Sequence, residues 1–139
     1  MELGEGIVLI DDCYNANPMS MRAAIDELAA TAPGRRVAVL GDMLELGPLS
    51  PDLHREIGEH ASERGVEVLL TVGELAAEMA PAFAGEIHSA ADAEAAAGII
   101  GGLLRPGDTV LVKGSRGVGL ERVVAALRTP APPVGTGRR

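Results

Sequence analysis

A predicted strand followed by a predicted helix recurs five times along this chain, and this alternation constrains the fold more than any other feature. The predicted strands cover residues 7–10, 37–40, 66–72, 86–88 and 109–112. A continuous apolar run such as residues 7–10 is typical of a strand that is covered on both faces, whereas residues 86–88 give a weaker strand signal. Strands that alternate with helices through short loops favour a mostly parallel sheet. The sequence therefore predicts an α/β fold of three layers, α/β/α, whose sheet has five or six strands.

Several residues mark where the helices and the domain begin and end. Asn17 is a residue type favoured at the N-cap of a helix, and Pro18 suits the first helical position. Together they predict the start of the first helix. By the same reasoning, Ser50 is predicted to cap the second helix, which would begin at Pro51. Residues 1–6 are polar and contain glycine, which predicts a frayed lead-in. We expect one domain over residues 1–128 and a disordered tail over residues 129–139, which is rich in Pro, Gly, Thr and Arg.

Composition excludes several classes of partner. Hydrophobic residues make up 47% of the chain but aromatic residues only 1%, so the core must consist of Ala, Val, Leu and Ile. Base stacking on aromatic platforms is therefore not expected. The net charge of −8 repels phosphate backbones and anionic membranes, which argues against nucleic acid and membrane partners. A single cysteine, no signal-peptide pattern and no apolar stretch of about 20 residues indicate a cytoplasmic protein.

In a parallel sheet of this kind, ligands bind outside the carboxyl ends of the strands. The corresponding loops cover residues 11–17, 41–47, 73–74 and 113–117. The first loop carries candidate ligand contacts at Asp11, Asp12, Tyr14, Asn15 and Asn17. Their carboxylates and amides suit ribose hydroxyls, adenine edges or a metal. The alternative is that Asn17 only caps a helix and Asn15 only shapes a turn.

The second loop combines polar and apolar candidates. Asp42 and Glu45 could contact a ligand, and Met43, Leu44 and Leu46 could form a hydrophobic lip. The alternative is an ordinary surface loop that is held in place by its leucines.

The last loop places Lys113, Ser115 and Arg116 on a turn framed by glycines. Cations there suit a carboxylate or a phosphate. The alternative, solvated charge, is less expected because cations are disfavoured at a helix start.

The remaining candidates are weaker. His54 could reach the cleft that these loops are predicted to form, because it lies in the first turn of its helix. A structural role is nevertheless favoured. Cys13 has no base clearly placed beside it, so we do not assign it as a nucleophile. The three histidines are not spaced as a metal site. The sequence also contains no GxxxxGK[ST] phosphate loop.

Five segments, taken together, resemble a known family. They are IDDCYNANPMSMRAAIDEL, RRVAVLGDMLELG, HREIGEHA, TVGELA and GDTVLVKGSRGVGLERVV. In this order they resemble the Rossmann-like C-terminal domain of the Mur ligases of peptidoglycan synthesis. The resemblance runs from about residue 6 to residue 127, and its DDxYNANP and GDMLELG signatures are specific within the Mur ligases.

The resemblance implies one domain of a three-domain, ATP-dependent carboxylate–amine ligase. The implied reaction adds D-alanyl-D-alanine to UDP-N-acetylmuramoyl-tripeptide through an acyl phosphate, with Mg²⁺ serving the phosphates of ATP. The central domain of such an enzyme carries the phosphate loop, and the C-terminal domain closes over it. The implied partners are thus the two substrates and the N-terminal and central domains of the same enzyme. We expect this domain alone to be inactive and to bind nucleotide weakly at best.

The resemblance also implies roles for individual residues, none of them catalytic or metal-binding. The nucleotide-side residues would be Asp11, Asp12, Tyr14, Asn15 and Asn17; the substrate-side residues would be Asp42, Lys113, Ser115 and Arg116. One departure is Cys13, which stands where a serine is expected. Two alternatives stay open: a free-standing Rossmann-like module that binds a small ligand without catalysis, and a Mur-type ligase with another amine substrate.

Overall fold

A computed structural model describes residues 1–129, which fold into a six-stranded sheet with helices on both faces. The strands are β1 (Glu2–Gly4), β2 (Ile7–Asp12), β3 (Arg36–Gly41), β4 (Val68–Val72), β5 (Glu86–Ala90) and β6 (Thr109–Lys113). The α-helices are α1 (Pro18–Thr31), α2 (Ser50–Glu63), α3 (Ala93–Leu103) and α4 (Glu121–Arg128). Short 3₁₀ helices cover Gly47–Leu49, Ala76–Ala82 and Arg116–Val118. The predicted three-layer α/β fold is confirmed.

The strand order is β1-β2-β6-β3-β4-β5, and every pair is parallel except β1 with β2. The last strand in the sequence, β6, therefore lies between β2 and β3. Lys113 at the end of β6 is in register with Asp12 on one side and Leu40 on the other. This insertion brings the loop after β6 between the loops after β2 and β3.

Each face of the sheet has its own core. Strand residues alternate between the two: Val37 and Val39 belong to the core that includes residues of α3 and α4, whereas Ala38 and Leu40 belong to the core that includes residues of α1 and α2. Aliphatic residues dominate both cores, as the composition predicts. Three methionines are also fully buried, namely Met21, Met43 and Met79. Flexible thioether side chains fill irregular gaps that branched residues cannot fill.

The prediction of a frayed lead-in over residues 1–6 is wrong. Glu2–Gly4 forms the antiparallel edge strand β1. The backbone N–H of Leu9 donates to Met1 O at 2.6 Å, and the N–H of Gly107 donates to Glu5 O at 3.0 Å. The unpaired edge of β2 thus orders a segment whose own composition gives no strand signal.

The first two helices begin differently. The prediction for α1 is confirmed: Asn17 is its N-cap and Pro18 its first residue. The prediction that Ser50 caps α2 is wrong, because Ser50 is already helical and its side chain makes no cap bond. The preceding 3₁₀ turn Gly47–Leu49 brings the chain into a helical conformation early, which removes the extended N-cap position.

The alanine-rich helix α3 begins at Ala93, where Asp92 caps it by accepting from the N–H of Ala95 at 2.9 Å. No helix among residues 1–129 is long and apolar enough to cross a bilayer. The predicted disordered tail lies outside the described residues from residue 130 onward, and the domain boundary at residue 128 stays a prediction.

Candidate functional site

The four loops singled out by the sequence lie side by side, because β2, β6, β3 and β4 are consecutive neighbours in the sheet and run parallel. Their side chains and backbones form one hydrogen-bonded network at the carboxyl edge. Lys113 reaches the first loop, Ser115 joins the last loop to the second, and Asp42 joins the second loop to the segment after β4. The predicted convergence of these loops is therefore present.

The first loop turns most of its polar side chains outward. Four of them are exposed, namely Asp11, Tyr14, Asn15 and Asn17. Tyr14 is a large residue with 65% of its surface accessible to solvent. Asn17 Oδ1 accepts from the N–H of Ser20 at 2.8 Å, so its oxygen serves the helix cap. The amide nitrogen of Asn17 is then the part of this side chain that can meet a ligand.

The loop also has an internal fastening. Asp12 Oδ2 accepts a hydrogen bond from Lys113 Nζ at 2.8 Å, and the backbone carbonyl of Asn15 accepts another at 2.9 Å. The Lys113 side chain is only 3% exposed. An ammonium in this position is held by the first loop rather than presented to solvent.

The second loop is fixed by Asp42, whose carboxylate accepts from the N–H of Ala76 at 2.7 Å and so caps the 3₁₀ helix Ala76–Ala82. Gly73 makes this possible. Its φ is +109°, and a Cβ there would collide with the Asp42 carboxylate. A side chain at residue 73 would therefore displace the cap. This pairing is absent from the predictions made from the sequence, although a glycine directly after a buried strand is a usable signal of close approach.

Ser115 joins the last loop to the second. Its backbone N–H donates to Asp42 O at 2.9 Å, and its Oγ accepts from the N–H of Leu44 at 2.9 Å. Ser115 is buried, whereas Arg116 is exposed. Of the predicted substrate-side residues, Arg116 is the one whose side chain faces solvent.

His54 has a structural role, which is the role that its position in the sequence favours. It is fully buried; its Nε2 accepts from the N–H of Met43 at 2.9 Å and its Nδ1 lies 2.7 Å from Ser50 O. A carbonyl can only accept, so the ring proton lies on Nδ1. His54 thus secures the second loop and does not reach the cleft.

The predicted hydrophobic lip is only partly present. Met43 is fully buried in the core and is not part of a lip, whereas Leu44 is exposed and Leu46 is half-buried. Two other apolar residues, Met19 and Leu49, are exposed beside these loops. Helical periodicity does not identify Met19 as a surface contact. It identifies only the buried face of α1, a face that begins with Met21 two positions later.

Cys13 is not suited to nucleophilic catalysis. Its side chain is buried and donates through Sγ to Asp11 Oδ1 at 3.1 Å. Burial, and then the neighbouring Asp11 carboxylate, raise the pKa of the thiol to about 12. The thiol therefore stays protonated near neutral pH, and the nucleophilic thiolate is scarce. In the described part of the chain, no three Asp, Glu, His or Cys side chains converge as a metal site.

Comparison with known proteins places this geometry in a family context. The sequence model of the family described as "Mur ligase, glutamate ligase domain" matches residues 1–116. A relative from Escherichia coli K12, a UDP-N-acetylmuramoyl-tripeptide–D-alanyl-D-alanine ligase, is 41% identical over 130 residues, which are 92% of this chain and 28% of the relative. A Bacillus subtilis protein of the same name is 34% identical over 128 residues, 88% of this chain and 28% of its own length.

Solved structures give the same picture. The crystal structure of a MurF ligase from Thermotoga maritima in complex with ADP matches with a TM-score of 0.75 and 31% identity, covering 88% of this chain and 28% of that one. A MurF structure from Acinetobacter baumannii matches with a TM-score of 0.77 and 32% identity, at the same coverages of 88% and 28%. The chain thus spans 28% of the length of these relatives.

Proposed function

This chain belongs to the Mur ligase family, and from that membership we propose that it is the C-terminal domain of a ligase that adds D-alanyl-D-alanine to UDP-N-acetylmuramoyl-tripeptide. The observation that carries the proposal is the 34–41% identity to relatives that bear this ligase's name. The alternative of a free-standing binding module has no comparable support. The proposed enzyme works in peptidoglycan synthesis and forms an amide bond at the expense of ATP.

The proposed chemistry divides between this chain and the rest of the enzyme. The terminal phosphoryl group of ATP passes to the acceptor carboxylate, and the dipeptide amine then attacks that acyl carbon and releases phosphate. This chain has no phosphate loop, and its described residues form no acidic cluster that fits Mg²⁺. We therefore assign the triphosphate and Mg²⁺ mainly to the central domain of the same enzyme; this central domain and the N-terminal domain would be the partners of this chain.

The nucleotide side of the proposed site is the first loop, residues 11–17, which comprises the last two residues of β2 and the turn that follows. Exposed Asp11, Tyr14, Asn15 and Asn17 can meet the sugar and base of a nucleotide, while Asp12 is engaged by Lys113. The amide nitrogen of Asn17 fits an acceptor on adenine, because its oxygen already serves the helix cap. These assignments rest on exposure and on donor chemistry.

The substrate side of the proposed site is the loop after β6. Arg116 is exposed there and suits the carboxylate of the incoming dipeptide, since a guanidinium binds carboxylates through two parallel hydrogen bonds. Asp42 and Ser115 act indirectly, because both join the second and last loops. The domain thus contributes positioning and electrostatic stabilisation, with no nucleophile or general base of its own.

The exposed apolar residues at this edge suit contact with the rest of the enzyme. Tyr14, Met19, Leu44 and Leu49 all stand in or beside the loops after β2 and β3. Burial of about 100 Å² of apolar surface contributes about 2.5 kcal/mol. We propose that a central domain covers these residues when it closes on the nucleotide.

A hybrid ligase tests the nucleotide assignment. In it, residues 1–129 of this chain replace the matching segment of the E. coli relative. We expect Asn17→Ser to raise the KM for ATP about fivefold, because serine keeps the cap but lacks the amide donor, and one hydrogen bond is worth about 1 kcal/mol. The measurement is steady-state phosphate release at varied ATP. An unchanged KM for ATP in a variant of normal stability would refute the contact by Asn17.

A further inference from the structure

Lys113 is the only lysine in the sequence, and the other residues counted as Lys or Arg are all arginines. It ends β6, the strand that lies between β2 and β3. Its side chain is 3% exposed, deeper than the ammonium of a typical lysine. A long cationic side chain in such a place needs partners, since an unpaired buried charge is costly.

Both partners of the Lys113 ammonium belong to the first loop, residues 11–17, which begins in the last two residues of β2. One is the carboxylate of Asp12, 2.8 Å away, and the other is the backbone carbonyl of Asn15, 2.9 Å away. The first contact holds the start of the loop and the second holds its middle. The far end is held separately by the capping box between Asn17 and Ser20. The loop is therefore fixed at three points, and Lys113 supplies two of them.

The choice of lysine fits this task. A compact ammonium can donate in several directions from one point, whereas a planar guanidinium needs room for its fork. Arg116, three residues later, is exposed, and its guanidinium is a group that suits an anionic ligand. The two cations of the last loop thus face different ways, one toward the neighbouring loop and one toward solvent.

We propose that Lys113 is a positioning residue that sets the shape of the nucleotide-side loop and does not itself contact the dipeptide or the acyl phosphate. The nucleotide part of this statement rests on the proposed function. The mechanism is a hydrogen-bonded cross-link from a central strand, which fixes Asp12 and Asn15 before the nucleotide arrives. Preorganisation of this kind lowers the cost of ordering a loop on binding.

The hybrid ligase separates this role from direct substrate contact. We expect Lys113→Met to raise the KM for ATP about tenfold, because small displacements of binding groups have effects of this size or larger, and to leave the KM for D-alanyl-D-alanine within about twofold. Asp12 is half exposed, so water can solvate its carboxylate in the variant. The double variant D12N/K113M leaves no unpaired charge and should show the same rise. A raised KM for the dipeptide alone, or no change in either KM, would overturn the proposal.

A labelling experiment on the 139-residue chain tests the cross-link without any assumption about function. Because Lys113 is the only lysine, an amine-acylating reagent reports on it and on the terminal amine alone, and peptide mass spectrometry separates the two. We expect slow acylation in the native chain and a rate about tenfold higher in Asp12→Asn, which weakens the charge-assisted bond. Native acylation as fast as in urea would overturn the cross-link. A folded hybrid without dipeptide-dependent turnover would instead overturn the proposed function, and the labelling rates would then decide the cross-link alone.

Discussion

Replacing Asp108 with alanine should lower the free energy of unfolding by about 3–5 kcal/mol, the usual cost of leaving one member of a buried ion pair alone. Asp108 is 1% exposed. Its carboxylate accepts from Arg35 Nε at 3.0 Å, from Arg35 Nη2 at 2.8 Å and from the N–H of Arg105 at 2.8 Å. The variant would leave the Arg35 guanidinium without its carboxylate. Urea unfolding of the 139-residue chain measures the loss.

The same pair gives a pH dependence. Burial would raise the pKa of Asp108, but the hydrogen bonds from Arg35 and Arg105 more than offset it, so the net pKa lies below the usual value. The stabilisation is therefore present above the unfolded pKa of about 3.9 and is lost as pH falls through the lower, folded pKa. Unfolding series from pH 6 to pH 3 should show this decline in the native chain and a shallower one in Asp108→Ala.

Asp52 provides the matched control, because it pairs with Arg55 on the surface, where both side chains are about half exposed. Asp52→Ala should change stability by less than about 1 kcal/mol. Equal losses in the two aspartate variants would contradict the importance of the buried pair. Asp108 also lies at the amino edge of the sheet, opposite the candidate site, so its loss should affect stability without altering the site directly.

Replacing Gly58 with alanine should cost about 3 kcal/mol through overpacking. Gly58 lies in α2 where it crosses the 3₁₀ helix Ala76–Ala82, and a Cβ there would collide with the carbonyl oxygen of Met79 and lie 2.9 Å from its carbonyl carbon. Backbone atoms cannot move aside as the end of a flexible side chain can. The two segments would have to separate, which would open the core around Met79. Thermal and urea unfolding give the magnitude.

The same substitution at Gly98 is the control. Gly98 lies in α3 and is exposed, and a Cβ added there would meet no neighbouring atom within 4 Å. Gly98→Ala should therefore raise the free energy of unfolding by about 1 kcal/mol, the propensity difference in a helix interior. A stabilising effect at Gly58, or a loss at Gly98 as large as that at Gly58, would contradict this account of the packing.

Features encoded within a few residues could be predicted from the sequence. The cap at Asn17 and the helix start at Pro18 depend only on adjacent positions, and the structure has both. The strands followed from apolar runs and the convergence of the loops from the general rule for parallel sheets. The predicted N-cap of α2 was wrong for an equally local reason. A 3₁₀ turn precedes Ser50, and such a turn gives no clear signal in composition.

Features that depend on strand order could not be predicted. Lys113 and Asp12 are 101 positions apart, and they meet only because β6 lies beside β2. The sequence pattern of a lysine at the end of a strand does not distinguish a side chain that contacts a ligand from one that contacts a neighbouring loop. The edge strand β1 is a similar case, since its order comes from the backbone of β2. Asp42 likewise finds its partner at Ala76 only after β3 and β4 pair.

The most direct test of the central claim is the amine choice of the hybrid ligase. If this chain docks the incoming amine, the hybrid with ATP and the tripeptide acceptor should incorporate D-alanyl-D-alanine at least about a hundredfold faster than D-alanine, as expected of a site that rejects a substrate lacking groups it must pair. Mass spectrometry of the nucleotide product gives both rates. A folded hybrid that incorporates neither amine, or both at equal rates, would contradict the account.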